Sequence, residues 1–275
     1  MTDGGDSGPV LDRQRLAFGR VAELYDRARP AYPPAAIGAV LELGGLTSGS
    51  AILEVGAGTG KATVLLAERG LRILAIEPDS AMAELARANC ARFGSEVEII
   101  ESDFERWRAP ERRPAVVSAQ AWHWISPEIG YCRAHEALTD GGRLITLWTV
   151  PEWERCALRG EFAGVYRATV PDMAPDFPLH PDSDRSSVAI DWPATIGATR
   201  RFTEPVVREF AWSQEYTTPA YRELLATHHI LLADPGRSAL LDGIAQVIDQ
   251  ASGAFSMPYL TRVCAATRAN ETPST

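Results

Sequence analysis

The chain is short of cysteine and has no long apolar run, and each shortage excludes a class of protein. Among its 275 residues are four cysteines, none in a C-x-x-C pair and none at a spacing typical of zinc sites. A disulfide framework is therefore not expected, and we predict no bound metal. No apolar stretch reaches the roughly 18 residues of a membrane span, and the first ten residues lack a signal pattern. We expect a cytoplasmic chain without a membrane partner.

The chain also lacks a run of lysine or arginine, and its formal net charge is −9. Because non-specific binding to nucleic acid depends on cations that neutralise phosphates, we expect no nucleic-acid partner. Hydrophobic residues make up 45% of the sequence and charged residues 23%, which permits a full core. This length is long for one domain and short for two. We therefore expect one domain with an insertion, while the oligomeric state is not indicated.

Short apolar segments alternate with amphipathic ones over the first half of the chain. The pattern predicts strands at 51–55, 72–76, 97–101, 115–119 and 143–148, and helices at 11–25, 34–43, 59–69, 80–93 and 127–138. Strands and helices that alternate at this spacing predict parallel βαβ units and a doubly wound sheet. Such sheets bind ligands beyond the carboxyl ends of their strands, where the strand order reverses.

The pattern changes after residue 150. Helices are predicted at 152–170, 218–232 and 238–252, a loop at 171–184, and strands at 205–212 and 257–266. The last strands bring the sheet to seven and give it an antiparallel edge strand. We expect a Rossmann-like, mostly parallel α/β fold that forms a single domain over residues 11–268. A helical and loop insertion at about 151–200 would cap the site, and 1–10 and 269–275 would be disordered tails.

A glycine-rich loop, Glu54-Val55-Gly56-Ala57-Gly58-Thr59-Gly60, joins the first strand to its helix. Glycines permit unusual backbone angles and let a ligand approach the main chain, and a helix start offers free N–H groups. Lys61 stands where a dinucleotide fingerprint needs a third glycine, and the spacing of a P-loop is absent. Glu54 could meet an ammonium group. The loop therefore favours a nucleoside that carries an amino acid.

Two further acids follow predicted strands. Glu77 ends the second strand, 21 residues after Gly56, where an acid can accept hydrogen bonds from both ribose hydroxyls. Asp103 follows the third strand and could accept a hydrogen bond from an adenine amino group. Phe104, next to it, offers a backbone N–H and a ring. These positions favour an adenosine ligand.

Five segments, taken in order, resemble the motifs of class I S-adenosylmethionine (SAM)-dependent methyltransferases. They are LEVGAGTG at 53–60, AIEPD at 75–79, SDFE at 102–105, SAQAWHWI at 118–125 and GGRLITLW at 141–148. The phrase FGRVAELYDRARPAYP at 18–33 resembles the start of a small-molecule branch, the methyltransferase type 11 group, and 216–259 is similar to that branch as well. The resemblance implies SAM as cofactor, S-adenosylhomocysteine as product and a small organic acceptor.

The resemblance also implies roles for residues around the cofactor. The glycine loop would cradle methionine, the ends of the second and third strands would hold ribose and adenine, the end of the fourth strand would line the sulfonium, and the N-terminal helix would close over the methionine carboxylate. The residues implied for methionine are Glu54, Gly56, Ala57, Gly58 and Gly60, and those for ribose and adenine are Glu77, Pro78, Asp103 and Phe104. Ala119 and Gln120 are implied for the sulfonium, and Tyr25 and Arg29 for the methionine carboxylate.

The acceptor is less defined. Residues 120–124 do not match the Asn/Asp-Pro-Pro-aromatic motif of enzymes that methylate amines, so a hydroxyl or carboxylate oxygen is favoured. A hydroxyl would need a general base, for which His123 is the candidate, although a histidine that only shapes the pocket fits as well. A carboxylate would need none. The candidate substrate-binding residues are Trp122, Trp124, Tyr221 and His228, with packing as the alternative role for each.

Two other functions stay open at this point. A nicotinamide-dependent NAD(P) oxidoreductase shares the sheet and the acidic strand end, but it needs the glycine that Lys61 replaces. A non-catalytic SAM-binding protein would use the same loop without turnover. Ligand binding and turnover distinguish these alternatives.

Overall fold

Seven strands form one sheet in the computed structural model, which describes residues 22–173, 179–183, 192–228 and 236–270. The strands are β1 (Ala51–Val55), β2 (Arg72–Glu77), β3 (Val97–Glu101), β4 (Arg113–Ala119), β5 (Leu138–Pro151), β6 (Val206–Thr217) and β7 (Ala254–Thr267). Their order across the sheet is β3-β2-β1-β4-β5-β7-β6. The predicted mostly parallel, Rossmann-like fold is confirmed.

The strand order reverses in the centre of the sheet. From β1 the chain moves outward to β2 and β3, and then returns to place β4 on the other side of β1. Strands β1 to β5 are parallel, so their carboxyl ends share one edge. This arrangement creates a crevice beyond β1 and β4, the position at which doubly wound sheets bind ligands.

The antiparallel strand lies one position inside the edge. β7 runs antiparallel to β5 on one side and to β6 on the other. β6 is therefore the edge strand, and it runs in the direction of the parallel set. The sequence predicts both strands but not that the last one is inserted between its predecessors, because strand order depends on long-range pairing.

Nine helices flank the sheet within the described ranges. They are α1 (Ala22–Ala28), α2 (Pro34–Gly44), α3 (Lys61–Ala67), α4 (Ser80–Cys90), α5 (Pro127–Ala137), α6 (Arg159–Thr169), α7 (Trp192–Ala198), α8 (Thr218–His228) and α9 (Gly236–Gln250). Local chemistry sets several ends. α2 begins at a proline and stops at the left-handed Gly45, and the Asp79 side chain caps α4 by accepting from the Met82 N–H at 3.0 Å.

Two helix predictions need correction, and one helix has no predicted counterpart. The helix predicted at 59–69 starts only at Lys61, because Gly60 has a φ of 86°. The helix predicted at 152–170 is a 3₁₀ turn at Trp153–Arg155 followed by α6. The helix α7 was not predicted. Of the predicted N-terminal helix, 11–21 lie outside the described residues, as do the 1–10 tail and 271–275.

Each face of the sheet buries its own apolar cluster, because successive side chains of a strand point to opposite faces. Ile52 of β1 packs with α2 and α3, whereas its neighbour Leu53 packs on the face that holds α5. A third cluster joins α6, α8 and α9 to β6 and β7. The third cluster reaches the carboxyl end of the sheet, where it supplies part of a cavity wall.

The region predicted as a cap is described only in part. It includes α6 and α7, and Leu179 and Ser183 reach the cavity. Residues 174–178 and 184–191 lie outside the described set. A separate finding concerns helix length: none of the nine described helices is long and apolar enough to cross a membrane.

Candidate active site

A cavity of about 600 Å³ lies at the carboxyl ends of the parallel strands. Its wall combines the glycine loop after β1, the ends of β2, β4 and β5, the segment after α1, and parts of α8 and β7. A volume of this size is typical of small-molecule sites. Of the residues that the sequence predicts for a site, those on the wall are Tyr25, Arg29, Glu54, Gly56, Ala57, Gly58, Glu77, Pro78, Asp103, Phe104, Ala119, Gln120, His123, Trp124 and His228.

Three predicted site residues do not line this cavity. Trp122 is buried in the core, with its ring centre 6.0 Å from that of Phe104. Tyr221 is also buried and stacks on Phe162 at 5.6 Å. Their predicted contact with an acceptor is therefore corrected to core packing. Gly60 caps α3 and packs towards α4, so its role is in the turn.

The glycine loop is fastened to the end of β2. The backbone N–H groups of Gly56 and Ala57 donate to the Ile76 carbonyl at 2.8 and 3.1 Å. Gly56 has a φ of 75°, and a Cβ on it would lie 2.2 Å from the Cβ of Ala121. Gly58 has a φ of 57°, but a Cβ there would meet nothing within 4 Å. Glycine is thus needed at position 56 because a Cβ would clash with Ala121, and at position 58 because of the positive φ. The space beside Gly58 is open.

Glu77 links β2 to this loop through its carboxylate. It accepts from the Gly58 N–H at 2.8 Å and from the Asp79 N–H at 3.0 Å. A carboxylate offers about four acceptor positions, so these two bonds are compatible with accepting from a diol. Asp103 is held in a similar way, since it accepts from the Glu105 N–H at 3.0 Å.

Glu54 is a fully buried carboxylate on the cavity wall. Neither oxygen has a hydrogen-bond partner among the described residues. Its pKa is raised to about 7, mainly by burial and also by the charge of Glu77, while the nearby Thr63 hydroxyl opposes the shift. A buried charge without a partner is unfavourable, and a ligand ammonium group would relieve it.

Gln120 holds the segment that follows β4. Its φ is 57°, unusual for a residue with a side chain. Its amide nitrogen donates to the Thr149 carbonyl at 3.1 Å, and its amide oxygen accepts from the Thr149 N–H at 3.0 Å. The amide therefore clamps the segment that carries His123 and Trp124 to β5.

His123 packs among aromatic rings. Its ring centre lies 4.4 Å from those of Trp124 and Trp148, and its Nδ1 is buried without a partner in the described part of the chain. Burial lowers the pKa of His123 to about 3. A general base works best with a pKa near the working pH. This environment contradicts the prediction that His123 accepts a proton at neutral pH.

The sequence analysis did not assign several residues of the cavity wall to the site. Lys61 follows the glycine loop directly, and its Nζ lies 3.8 Å from Asp26 of α1. Trp148 stands in a quoted motif, and Tyr32 in a quoted segment, so both could have been proposed. Tyr259 of β7 carries no such signal, because it reaches the cavity only through the position of β7 in the sheet.

Comparison with known sequences gives two agreeing results. A family model described as a methyltransferase domain matches residues 52–142. An uncharacterized methyltransferase of Mycobacterium bovis is 30% identical over 260 residues, which cover 90% of this chain and 94% of that protein. A match of this extent reaches well beyond the residues that the family model covers.

Solved structures with the same fold are more distant in sequence. A SAM-dependent methyltransferase from Thiobacillus denitrificans in complex with S-adenosyl-L-homocysteine has a TM-score of 0.53 at 12% identity, covering 91% of this chain and 97% of that one. The YcgJ protein from Bacillus subtilis has a TM-score of 0.52 at 13% identity, covering 86% and 99%. These likenesses concern the fold.

We predict that Gly56→Ala is more destabilising than Gly58→Ala. Both substitutions place a side chain at positive φ, which costs about 1–2 kcal/mol. Only the first also forces a Cβ against Ala121, which adds about 1–3 kcal/mol of overpacking. Urea unfolding of the two variants measures the difference, and equal losses of unfolding free energy would contradict it.

We also predict that Glu54→Gln stabilises the ligand-free protein. Folding raises the pKa of Glu54 from 4.5 to about 7. The protonated carboxyl therefore makes its full contribution to the free energy of unfolding below pH 4.5, and this contribution is lost as the pH rises through about 7. Glutamine should therefore raise the unfolding free energy by up to about 3 kcal/mol at about pH 8, and by much less at about pH 5.

The exposed Glu98 on β3 is the matched control for this variant. Its replacement by glutamine should leave the pH dependence of unfolding unchanged. If Glu54→Gln and Glu98→Gln behaved alike at both pH values, Glu54 would not be ionised within an apolar environment.

Proposed function

The chain belongs to the class I SAM-dependent methyltransferases, and on this premise we propose that it methylates an oxygen atom of a small organic acceptor. SAM is the cofactor, and S-adenosylhomocysteine is the product. The observation that carries the proposal is the division of one cavity into an acidic half, at the ends of β1 to β3, and an aromatic half beside β4 and β5. The first half suits the cofactor and the second suits an apolar acceptor.

In the proposed cofactor half, Glu77 accepts from the ribose hydroxyls while it holds the loop. Pro78 and Phe104 contact the adenine ring, and Asp103 accepts from its amino group. These assignments are supported by the placement of all four residues on one wall. The bonds of the carboxylates to backbone N–H groups fix their direction, so that the pocket is organised before the ligand arrives.

The methionine end fits the glycine loop. The Glu54 carboxylate, which has no hydrogen-bond partner in the part of the chain that the structure describes, suits the ammonium group. The open space beside Gly58 lets main chain and ligand approach closely. The methionine carboxylate needs a cation, and Lys61 and Arg29 both reach the wall. Ala119 ends β4 at this point and Gln120 follows it, close to where the sulfonium would lie.

The proposed acceptor half is mostly aromatic and apolar. Trp124, Trp148 and Tyr259 form ring surfaces, and Val150 and Leu224 add aliphatic surface. When bound, SAM supplies a methyl group already activated on a sulfonium sulfur. The main task of the protein is then orientation, which can supply about 7–11 kcal/mol of the barrier reduction. The indole rings also exclude water from the reacting atoms.

We predict that Glu77→Ala weakens binding of SAM and S-adenosylhomocysteine by at least about tenfold, which is about 1.4 kcal/mol. The substitution removes the ribose acceptor and the bond to the Gly58 N–H. Titration calorimetry gives the dissociation constants. Glu101→Ala, at the exposed end of β3 directly across from Glu77, is the control and should bind normally. Unchanged affinity in Glu77→Ala would remove Glu77 from the ribose site.

The proposed activity is tested with methyl-labelled SAM and a small-molecule extract. Labelled product that depends on the protein is the expected result, and its identification gives the acceptor. Calorimetry with SAM, S-adenosylhomocysteine and NADH runs in parallel. Cofactor binding without any transfer would indicate a non-catalytic protein, and binding of NADH alone would indicate a dehydrogenase.

A further inference from the structure

Glu54 is a buried carboxylic acid on the cavity wall, and neither of its oxygens has a hydrogen-bond partner in the described part of the chain. We propose that Glu54 is protonated in the ligand-free protein, and that the ammonium group of the cofactor ionises it, so that cofactor binding releases a proton. The inference rests on the proposed function, because it concerns the same cofactor site. It implies that the affinity for the cofactor rises with pH.

The Glu54 side chain lies between the core and the cavity. Glu54 follows Ile52 by two residues in β1, so both side chains point to the face of the sheet that holds α2 and α3, where Ile52 belongs to the apolar cluster. The Thr63 hydroxyl of α3 lies near the carboxyl group, but it too is buried and has no hydrogen-bond partner within the described ranges. Surroundings of this kind favour the neutral form of a carboxylic acid.

Three titratable groups around Glu54 offer it no positive charge. Burial, and after it the charge of Glu77 on β2, raises the pKa of Glu54 to about 7. Tyr32 lies before α2 and Cys90 ends α4, and both interact electrostatically with Glu54. Burial raises the pKa of Tyr32 well above its usual value and that of Cys90 to about 11, so both stay neutral near neutral pH.

The two cations on the cavity wall are not bonded to Glu54. Lys61 of α3 pairs with Asp26 of α1 at 3.8 Å, and the Arg29 Nε donates to the Thr227 hydroxyl of α8 at 3.0 Å. Neither cation donates a hydrogen bond to Glu54, since both of its oxygens are without a partner in the residues that the structure describes. The ionised form of Glu54 therefore depends on a cation that the ligand brings.

A ligand ammonium group reverses the preference of Glu54 for its neutral form. An opposite charge within about 4–6 Å lowers the pKa of a carboxyl group by about 1–3 units. The attraction acts through space, so the ammonium group does not have to touch the enclosed oxygens. The carboxyl proton then passes to water, and an ammonium–carboxylate pair remains. The ligand-free protein thus avoids a buried charge, which forms only when the cofactor compensates it.

Histidines on the cavity wall are the alternative source of a proton near neutral pH. Burial lowers the pKa of His123 to about 3, so His123 is neutral throughout this range and has no proton to release. His228 lies on the same wall, with its Nδ1 at 3.1 Å from the Leu224 carbonyl oxygen. A substitution at Glu54 distinguishes the two sources, because it would leave a proton from His228 in place.

The test counts the protons released on binding. Calorimetry of S-adenosylhomocysteine is carried out in two buffers of different ionisation enthalpy, and the difference between the observed enthalpies gives the number of protons. We expect about 0.8 protons at about pH 6 and about 0.2 at about pH 7.5. Over the same range the dissociation constant should fall by roughly five- to tenfold. 5′-Methylthioadenosine lacks the amino acid, and it should bind without releasing a proton.

Variants identify the group that titrates. Glu54→Gln keeps the shape of the side chain but cannot ionise, so S-adenosylhomocysteine should release fewer than about 0.2 protons at about pH 6, and its affinity should change less than about twofold with pH. Glu98→Gln on β3 is the matched control, because Glu98 is exposed, and this variant should behave like the wild type. The comparison of the two ligands in the wild-type protein tests the proposal without any substitution.

Three outcomes would overturn the proposal while leaving the cofactor site intact. Tight binding of S-adenosylhomocysteine to the wild type without proton release would show that Glu54 is already ionised. Release that persists in Glu54→Gln would assign the proton to another group, such as His228. Equal release with 5′-methylthioadenosine would show that the ammonium group is not the cause. Failure of the wild type to bind S-adenosylhomocysteine at either pH would overturn the cofactor site and the proton release together.

Discussion

The bond between the Glu77 carboxylate and the Gly58 N–H organises the whole site. It joins the end of β2 to the loop after β1, two segments that the chain otherwise connects only through α3. Together with the bonds to the Ile76 carbonyl, it holds the loop in the positive φ conformations that only glycine adopts without strain. The shape of the glycine loop, and with it the start of α3 and one part of the cavity wall, depends on this attachment.

Three energetically unfavourable features lie on the wall of the same cavity. Glu54 is buried without a hydrogen-bond partner among the described residues, Gln120 has a positive φ, and the Nδ1 of His123 is unpartnered in the same described set. Each would destabilise an ordinary core. Their concentration on one wall is expected of a site in which ligand groups complete the missing interactions, since function and stability often conflict at such positions.

The fold leaves the acceptor undetermined, because one fold serves many reactions. Chemical selectivity then depends on the side chains of the cavity wall. In this chain the wall includes the segment after α1, the end of β5 and the carboxyl end of α8, and the bond between Arg29 and Thr227 joins the first of these to the last. This part of the wall is therefore set by tertiary packing.

Local patterns in the sequence determined the strands, the glycine loop and the acidic strand ends, because strand alternation and turn chemistry act over a few residues. Only the tertiary structure decided which aromatic residues face the ligand. Trp122 and Trp124 share one 3₁₀ turn, where each residue rotates the side-chain direction by about a third of a turn, so one enters the core and the other the cavity. Tyr221 and His228 lie on one face of α8 but about 10 Å apart along its axis, which places one in the core and the other at the cavity. Tyr259 depends on the insertion of β7 between β5 and β6, a long-range pairing that no short pattern encodes.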